Sequence, residues 1–186
     1  ADANNLGERF HWYSSTGWVM WNAQLAGLAG GTTVVLFDGS PGGSKESPDW
    51  TVLWRFAARH RVTWFGAGAA FYANCMKAGV DLAALHAQGH DLGRIRALGA
   101  TGSPLAEDVQ RWGSEQFRRL GTPDIWWCNI SGGTDFCGAF IGGNRDLLQV
   151  PGQMQCRLLG CAVEAWNEAG KAVVGEVGEL VGTQPI

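Results

Sequence analysis

The sequence predicts an α/β fold in which a parallel sheet is covered by helices on both faces and is followed by the start of a β-rich subdomain. Up to about residue 150, short apolar runs alternate with stretches whose apolar residues recur at helical spacing, which is typical of a parallel sheet with right-handed crossovers. After that point, short segments separated by glycine indicate hairpins. We therefore predict two incomplete units, an α/β subdomain over 1–150 and the start of a β-barrel-like subdomain over 151–186.

The first predicted elements are a strand, a helix and a second strand. Residues 33–37 (TVVLF) form a β-branched run that a glycine- and proline-rich stretch closes, which indicates a buried strand leading into a surface loop. Residues 50–60 place apolar side chains at helical spacing, with Arg55 and Arg59 on the other face. Residues 62–65 are predicted to form the next strand.

The alternation continues along the rest of the chain. We predict helix 69–77, strand 95–98, helix 104–120 and strand 125–128, and then β segments at 155–158, 163–166 and 178–181. Ser103 is a suitable N-cap and Pro104 suits a first helical turn, so the third helix is expected to begin there. No helix or strand is expected before Phe10. In such a sheet, functional groups are expected at the carboxyl ends of the strands.

Composition excludes several classes of protein. With 186 residues, 46% of them hydrophobic, the chain can bury a sizeable core. A net charge of -3 without a basic run argues against nucleic acid as a partner. The apolar stretches are too short for a membrane helix and residues 1–9 are too polar for a signal peptide, so a cytoplasmic protein without a membrane partner is expected. Five cysteines without a CxxC pair indicate reduced thiols.

Two local patterns have an ordinary structural interpretation that we favour. Residues 66–71 (GAGAAF) follow a strand and open a helix, as a dinucleotide-binding turn does, but Phe71 replaces the third glycine and no acidic residue follows at the expected spacing. His86 and His90 could share a helix face as metal ligands, but Gly89 separates them and no third ligand is evident. We expect a structural turn and surface histidines, respectively.

Two glycine-rich segments are more informative because each follows a predicted strand. Backbone amides in residues 99–104 (GATGSP) can face an anion or a flat base. In residues 129–135 (NISGGTD), Thr134 offers a hydroxyl for a phosphate oxygen and Asp135 offers a carboxylate for Mg²⁺. Each segment alone is equally consistent with a tight turn. Together they predict one crevice at the edge of the sheet.

These segments and residues 175–180 (GEVGEL), in this order, resemble the adenylate-forming superfamily, which includes acyl-CoA synthetases, luciferases and peptide-synthetase adenylation domains. Within it, residues 12–22 and 36–41, and Phe136-Cys137 after SGGTD, are most similar to the ligases that act on acetoacetate. Two departures from the wider superfamily are shared with those ligases. Asp135 stands in place of the usual glutamate, and residues 131–133 (SGG) replace the aromatic residues of acetyl-CoA synthetases.

The resemblance implies a two-step reaction, in which a carboxylate attacks the α-phosphate of ATP, pyrophosphate leaves, and the thiol of CoA then displaces AMP. ATP, Mg²⁺ and CoA are the implied cofactor and cosubstrates. It also implies that Asn129 contacts the adenine amino group, Thr134 the α-phosphate and Asp135 Mg²⁺, the last two as catalytic residues. The implied nucleotide-binding residues are Gly102, Ser103, Pro104, Asn129, Ile130, Ser131, Gly132, Gly133 and Thr134. The implied acyl pocket consists of Trp18, Val19, Met20 and Gly132, deepened for acetoacetate by Gly132 and Gly133.

Superfamily enzymes also use a lysine-containing Ser/Thr/Gly-rich loop, an aspartate for the ribose hydroxyls and a C-terminal domain with a catalytic lysine, and this sequence contains none of them. We therefore expect an interior fragment whose partners are the N- and C-terminal parts of the same enzyme. The isolated chain is expected to have no ligase turnover. A ligase for acetate or propionate and a non-catalytic nucleotide-binding module remain alternative interpretations.

Overall fold

A five-stranded parallel sheet forms the centre of the computed structural model, which describes residues 7–185. The strands are β1 (Arg9–Trp12), β2 (Thr33–Val34), β3 (Trp64–Gly68), β4 (Ala97–Thr101) and β5 (Trp126–Asn129). They lie in the order β2-β1-β3-β4-β5, and every neighbouring pair is parallel. This confirms the predicted α/β sheet. The signal-peptide prediction concerns mainly residues 1–6, which lie outside the described residues, as does Ile186.

Helices cover both faces of this sheet, as predicted. They are α1 (Val19–Ala29), α2 (Val52–Arg59), α3 (Ala69–Lys77), α4 (Leu82–Ala87) and α5 (Glu107–Arg119). Successive side chains of a strand point to opposite faces. On β1, Phe10 and Trp12 accordingly pack with Met20 of α1, whereas His11 between them lies against Phe56 of α2. The larger core, beneath α2 to α5, includes the fully buried Trp54, Phe65, Tyr72, Phe117 and Trp127.

Trp12 explains why glycine occupies the middle of two neighbouring strands. A Cβ atom at Gly66 of β3 would lie 2.1 Å from the Trp12 ring, and one at Gly99 of β4 would lie 2.3 Å from it. The indole can therefore lie flat across the sheet only because these two positions lack side chains. This gives Gly66 a packing role in the strand that leads to α3, in agreement with the structural interpretation of residues 66–71.

The predicted start of α5 is wrong. The helix begins at Glu107, and Ala106, not Ser103, occupies the N-cap position, with an extended backbone at φ -64° and ψ 146°. Leu105 is buried in the core and anchors residues 103–106 as a loop. Glu107 and Asp108 then place negative charge in the first turn, where the helix dipole favours it.

Three elements of the parallel sheet and its helices were not predicted from the sequence, and neither were three short strands of the antiparallel sheets, at residues 131–133, 138–142 and 172–173. Strand β1 is short and contains Arg9 and a buried histidine, so it lacks the apolar run of its neighbours. Helix α1 has apolar residues around most of its circumference, which hides the helical period. Helix α4 has only six residues, and its N-cap, Asp81, accepts a hydrogen bond of 3.0 Å from the Ala84 amide.

Two small antiparallel sheets follow the parallel sheet. The first has the order β6-β7-β8, and the second has the order β10-β9-β11. Their strands are β6 (Ser131–Gly133), β7 (Gly138–Gly142), β8 (Cys156–Arg157), β9 (Val163–Trp166), β10 (Ala172–Val173) and β11 (Glu179–Gly182). The predicted β-rich region is therefore present and its first strands precede residue 150. The division into two domains at that position stays a prediction. Between residues 7 and 185, no helix is long and apolar enough to cross a membrane.

His11 makes the stability of this fold depend on pH. Its side chain is buried, and Nδ1 lies 2.8 Å from the carbonyl oxygen of Val35. Burial lowers the pKa of His11 from 6.5 to about 4, so the ring stays neutral in the folded state at pH values where the unfolded chain is protonated. The contribution of His11 to the free energy of unfolding should be fully present above the pKa that the residue has in the unfolded chain. It should fall by about 3 kcal/mol as the pH drops from that value to the pKa in the folded state.

Urea unfolding of the complete protein between about pH 4 and pH 7 measures this loss. His11→Phe removes the titrating group and should flatten the dependence, whereas His86→Phe, at an exposed position in α4, should leave it unchanged. Equal slopes for the wild type and His11→Phe would contradict the assignment.

Candidate active site

Two cavities lie side by side at the carboxyl edge of the sheet, where β4 and β5 end. The apolar cavity, lined by Phe10 and the start of α1, has a volume of about 570 Å³. The polar cavity, lined by residues 102–105 and Asn129, has a volume of about 250 Å³. Thr101, Gly102, Ile130 and Gly132 line both cavities. The two glycine-rich segments therefore meet at one edge of the sheet, as the strand pattern predicts.

The pairing of β4 with β5 holds the two loops together. Ala100 is paired with Asn129, and the Ile130 amide donates a hydrogen bond of 2.9 Å to the Ala100 carbonyl oxygen. One residue further on, Oγ1 of Thr101 donates to the Ile130 carbonyl oxygen at 2.8 Å. These bonds satisfy backbone groups that the end of the ladder would leave unpaired. They fix the wall that separates the two cavities.

The apolar cavity contains the residues that the resemblance implies for an acyl pocket. Its lining includes Phe10, Trp18, Val19, Met20, Trp64 and Ala139. Gly133 and Thr134 also line it, beyond the shared Gly132. The Trp18 side chain is 52% exposed, so the cavity is open to solvent beside it. An elongated acid with a short apolar part fits such a lining.

The polar cavity contains the residues implied for the base of a nucleotide. Ser103, Pro104, Asn129 and Ser131 line it. Nδ2 of Asn129 donates to Oε1 of Gln110 at 3.1 Å and to the carbonyl oxygen of Gln153 at 3.3 Å. In the part of the chain that the structure describes, Oδ1 of Asn129 is buried and has no hydrogen-bond partner. An amino group on a bound base would supply the missing donor.

Thr134 lies where the turn after β6 meets the N-terminus of α1. Its Oγ1 accepts a hydrogen bond of 3.2 Å from the Val19 amide, the first N–H of that helix. A hydroxyl group that accepts one hydrogen bond can still donate its proton to another acceptor. No acidic residue occupies the first turn of α1, so the partial positive charge there favours an anionic group beside Thr134.

Asp135 differs from the other implied site residues in its position. It lies in the turn over residues 134–137, is exposed, and is not among the residues that line either cavity. Within residues 7–185, no group of three or more His, Cys, Asp and Glu side chains is arranged to hold a metal ion. A single carboxylate fits a Mg²⁺ ion whose other ligands are phosphate oxygens and water, which is the usual way proteins bind this ion.

Gly132 and Gly133 differ in the space around them. A Cβ atom at Gly132 would lie 2.1 Å from the carbonyl oxygen of Gly138 and 2.6 Å from Cα of Ala139, whereas a Cβ at Gly133 would meet no atom of residues 7–185 within 4 Å. A side chain at position 132 would push against the backbone of β7 and not fill open space. A Gly132→Trp replacement therefore cannot test pocket depth, and Gly133 is the position for that test.

Sequence reasoning missed several residues around the site. Gly152, Gln153 and Met154 line the polar cavity, although they lie far along the chain from Asn129. Gln110 supports Asn129 from α5. One signal could have identified Gln110, because its spacing from Gly113 and Phe117 puts it on the buried face of α5, and a buried amide requires partners. No pattern in the sequence marks residues 152–154.

The remaining candidate groups have ordinary environments. His86 lies in the last turn of α4, and its Nδ1 lies 3.7 Å from a carboxylate oxygen of Asp91. All five cysteines are free. Burial raises the pKa of the Cys75 thiol to about 12 and that of Cys128 to about 11. Neither is therefore activated as a thiolate nucleophile.

Comparison with known proteins defines the class to which this fold and site belong. Residues 2–185 match the model of a family described as AMP-binding enzyme. Since the match covers nearly the whole chain, the chain belongs to this family. Its relatives carry a more specific name: acetoacetyl-coenzyme A synthetase of Rhizobium meliloti (strain 1021) is 39% identical over 178 residues, which are 96% of this chain and 26% of the relative.

Other relatives agree. Acetoacetyl-CoA synthetase of Gallus gallus is 38% identical over 175 residues, which are 94% of this chain and 24% of the relative. Among solved structures, acetoacetyl-CoA synthetase from Streptomyces lividans matches with a TM-score of 0.84 and 43% identity, over 98% of this chain and 27% of that one. An anthranilate CoA ligase in complex with anthranoyl-AMP matches with a TM-score of 0.73, and its 19% identity supports the fold alone. The chain spans about a quarter of the length of the curated relatives it matches.

Proposed function

We propose that this chain is part of an acid–CoA ligase that activates acetoacetate with ATP to an acyl-adenylate and then transfers the acyl group to CoA. The observation that carries the proposal is the shared wall between the polar and apolar cavities. A nucleotide base in one cavity and a short acid in the other would bring the α-phosphate and the carboxylate together beside Thr134. The names of the relatives support acetoacetate as the acid.

The base is bound in the polar cavity. Gly102, Ser103 and Pro104 provide a surface for the flat face of adenine, and backbone amides of the loop supply polar contacts to the nucleotide. Oδ1 of Asn129 accepts a hydrogen bond from the exocyclic amino group, because this oxygen has no partner among residues 7–185. This contact distinguishes adenine from a base without that donor.

The acid is bound in the apolar cavity. Trp18, Val19 and Met20 contact its carbon chain, and the carboxylate points toward Thr134 and the N-terminus of α1. The hydroxyl of Thr134 donates to an oxygen of the α-phosphate, where charge develops during the attack. A donor fixed in advance by its bond to the Val19 amide needs no reorganisation at that moment.

Magnesium fits as a cofactor through Asp135. When bound, the ion neutralises charge on the phosphate oxygens. Asp135 contributes one carboxylate from the exposed turn, and the remaining ligands come from the nucleotide and water. The lysine residues and the ribose contact that adenylate-forming enzymes use would come from other parts of the same protein, which are its partners together with acetoacetate, ATP and CoA.

An exchange assay tests the proposal. In the complete protein, acetoacetate should stimulate the exchange of labelled pyrophosphate into ATP, and CoA should convert the mixture to acetoacetyl-CoA, AMP and pyrophosphate. Acetate and propionate serve as competing acids. Stronger exchange with either acid would identify that acid, and not acetoacetate, as the substrate. ATP binding without exchange for any acid would indicate a non-catalytic module.

A further inference from the structure

Gln110 is a fully buried polar side chain on the inner face of α5, directly behind the polar cavity. Its exposure is 0%. It does not line the cavity itself, but its Oε1 accepts hydrogen bonds from Nδ2 of Asn129 at 3.1 Å and from the Gly152 amide at 2.9 Å. Both donors belong to residues that do line the cavity. Gln110 thus connects the end of β5 to the segment that contains Gly152.

Backbone groups determine how the two side-chain amides are oriented. The Gly152 amide can only donate, so the Gln110 atom that it meets must be the oxygen. The Gln153 carbonyl can only accept, so the Asn129 atom at 3.3 Å from it must be the nitrogen. With Nδ2 of Asn129 held by these two acceptors, its Oδ1 is left without a donor among the described residues.

This arrangement leaves one donor unpaired. In the described part of the chain, Nε2 of Gln110 has no hydrogen-bond partner. A buried amide in this state destabilises a fold relative to an apolar side chain of the same size. Packing therefore does not account for a glutamine at this position, whereas a role in orienting the side-chain amide of Asn129 does.

We propose that Gln110 is a positioning residue that keeps Oδ1 of Asn129 available to accept a hydrogen bond from the exocyclic amino group of a purine. The inference rests on the proposed function, which puts adenine in the polar cavity. Without Gln110, only the longer contact to Gln153 holds the Asn129 amide, which can then rotate and present its nitrogen to the base. A donor facing a donor forms no bond, so recognition of the amino group is lost while stacking of the base is retained.

Binding of two nucleotides to the complete protein tests this role. The probes are ATP and purine riboside triphosphate, which carries hydrogen in place of the 6-amino group, and their dissociation constants are measured by calorimetric titration. Gln110→Met keeps the size of the side chain and removes the acceptor. We expect it to lower the preference for ATP over the analogue about fivefold, the loss of one hydrogen bond, with little change in affinity for the analogue.

Gln116 provides a matched control on the same helix. It is also buried, and its Oε1 accepts a hydrogen bond of 2.9 Å from the Leu82 amide, away from the polar cavity. Gln116→Met should destabilise the protein comparably and leave the nucleotide preference unchanged. A double-mutant cycle adds a second readout, because Gln110→Met should not lower the preference further in an Asn129→Ala background.

The outcomes separate the two hypotheses. Equal loss of affinity for both nucleotides in Gln110→Met, or an unchanged preference for ATP, would overturn the positioning role. A wild-type protein that does not prefer ATP over the analogue would also overturn it. Preference for ATP that depends on Gln110, without acetoacetate-dependent pyrophosphate exchange, would uphold the positioning role and overturn the proposed ligase function alone.

Discussion

Replacement of Thr134 by valine is expected to slow acetoacetate-dependent adenylate formation about 100-fold, as the loss of a fixed donor to a developing charge does in other enzymes. Valine has nearly the same shape as threonine, so the turn should keep its form. The substitution removes the hydroxyl group whose oxygen accepts a hydrogen bond of 3.2 Å from the Val19 amide. The same hydroxyl group can donate its own proton to a phosphate oxygen. The rate of pyrophosphate exchange at saturating ATP measures the effect.

Thr134→Ser is the conservative partner of this substitution. It retains the hydroxyl and should recover most of the exchange rate. Thr122→Val, in the loop after α5 and outside both cavities, should behave like the wild type. If Thr134→Val exchanged pyrophosphate at the wild-type rate, the hydroxyl would have no part in the reaction. If Thr134→Ser were as slow as valine, the shape of the turn and not the hydroxyl would matter.

Gly132→Ala is expected to destabilise the complete protein by about 3 kcal/mol and to abolish most of its exchange activity, because an added methyl group has no room to relax in a packed strand pair. Its Cβ would overlap the Gly138 carbonyl oxygen and crowd Cα of Ala139, so β6 and β7 must separate. Thr134 follows β6 directly and would move with it. Urea unfolding and pyrophosphate exchange measure the two effects.

The neighbouring glycine supplies the control. Gly133→Ala adds the same methyl group where no atom of the described part of the chain lies within 4 Å, and neither glycine has a positive φ, so the two variants differ mainly in available space. Gly133→Ala should retain wild-type stability. Unfolding of both variants at the same urea concentration would contradict the conclusion that β7 leaves no room for a side chain at position 132.

Local patterns were sufficient for most of the α/β architecture. The amphipathic stretch of α2 and the repeated alternation identified a parallel sheet, because strand and helix periods are properties of a few consecutive residues. The β-branched run at 33–37 marked the right place for β2, but the prediction of a buried strand was wrong, because β2 covers only Thr33–Val34 at the edge of the sheet. They failed where an element gains its stability from its surroundings. Strand β1 is held between two neighbours despite His11, and α1 has no clear polar face.

Site residues divide in the same way. The two glycine-rich loops were found because their residues are contiguous and follow strands, and the alignment of parallel strands brings such loops together. Asp135 was grouped with them by sequence proximity, yet it lies in an exposed turn beside the cavities. Gln110 and Gln153, which accept hydrogen bonds from the Asn129 amide, lie 19 and 24 residues away from it along the chain.

The sequence by itself determined the class of fold and the edge of the sheet at which the two glycine-rich loops lie. Both follow from local periodicity and from the order of strands and loops along the chain, whereas the side chains expected to contact a base, a phosphate and an acid were implied by the resemblance to adenylate-forming enzymes. Only the tertiary structure decided which glycine has free space beside it and which atom of Asn129 is left to accept a hydrogen bond. Both depend on non-bonded distances between segments far apart in the chain, and those distances are set by packing of the whole domain.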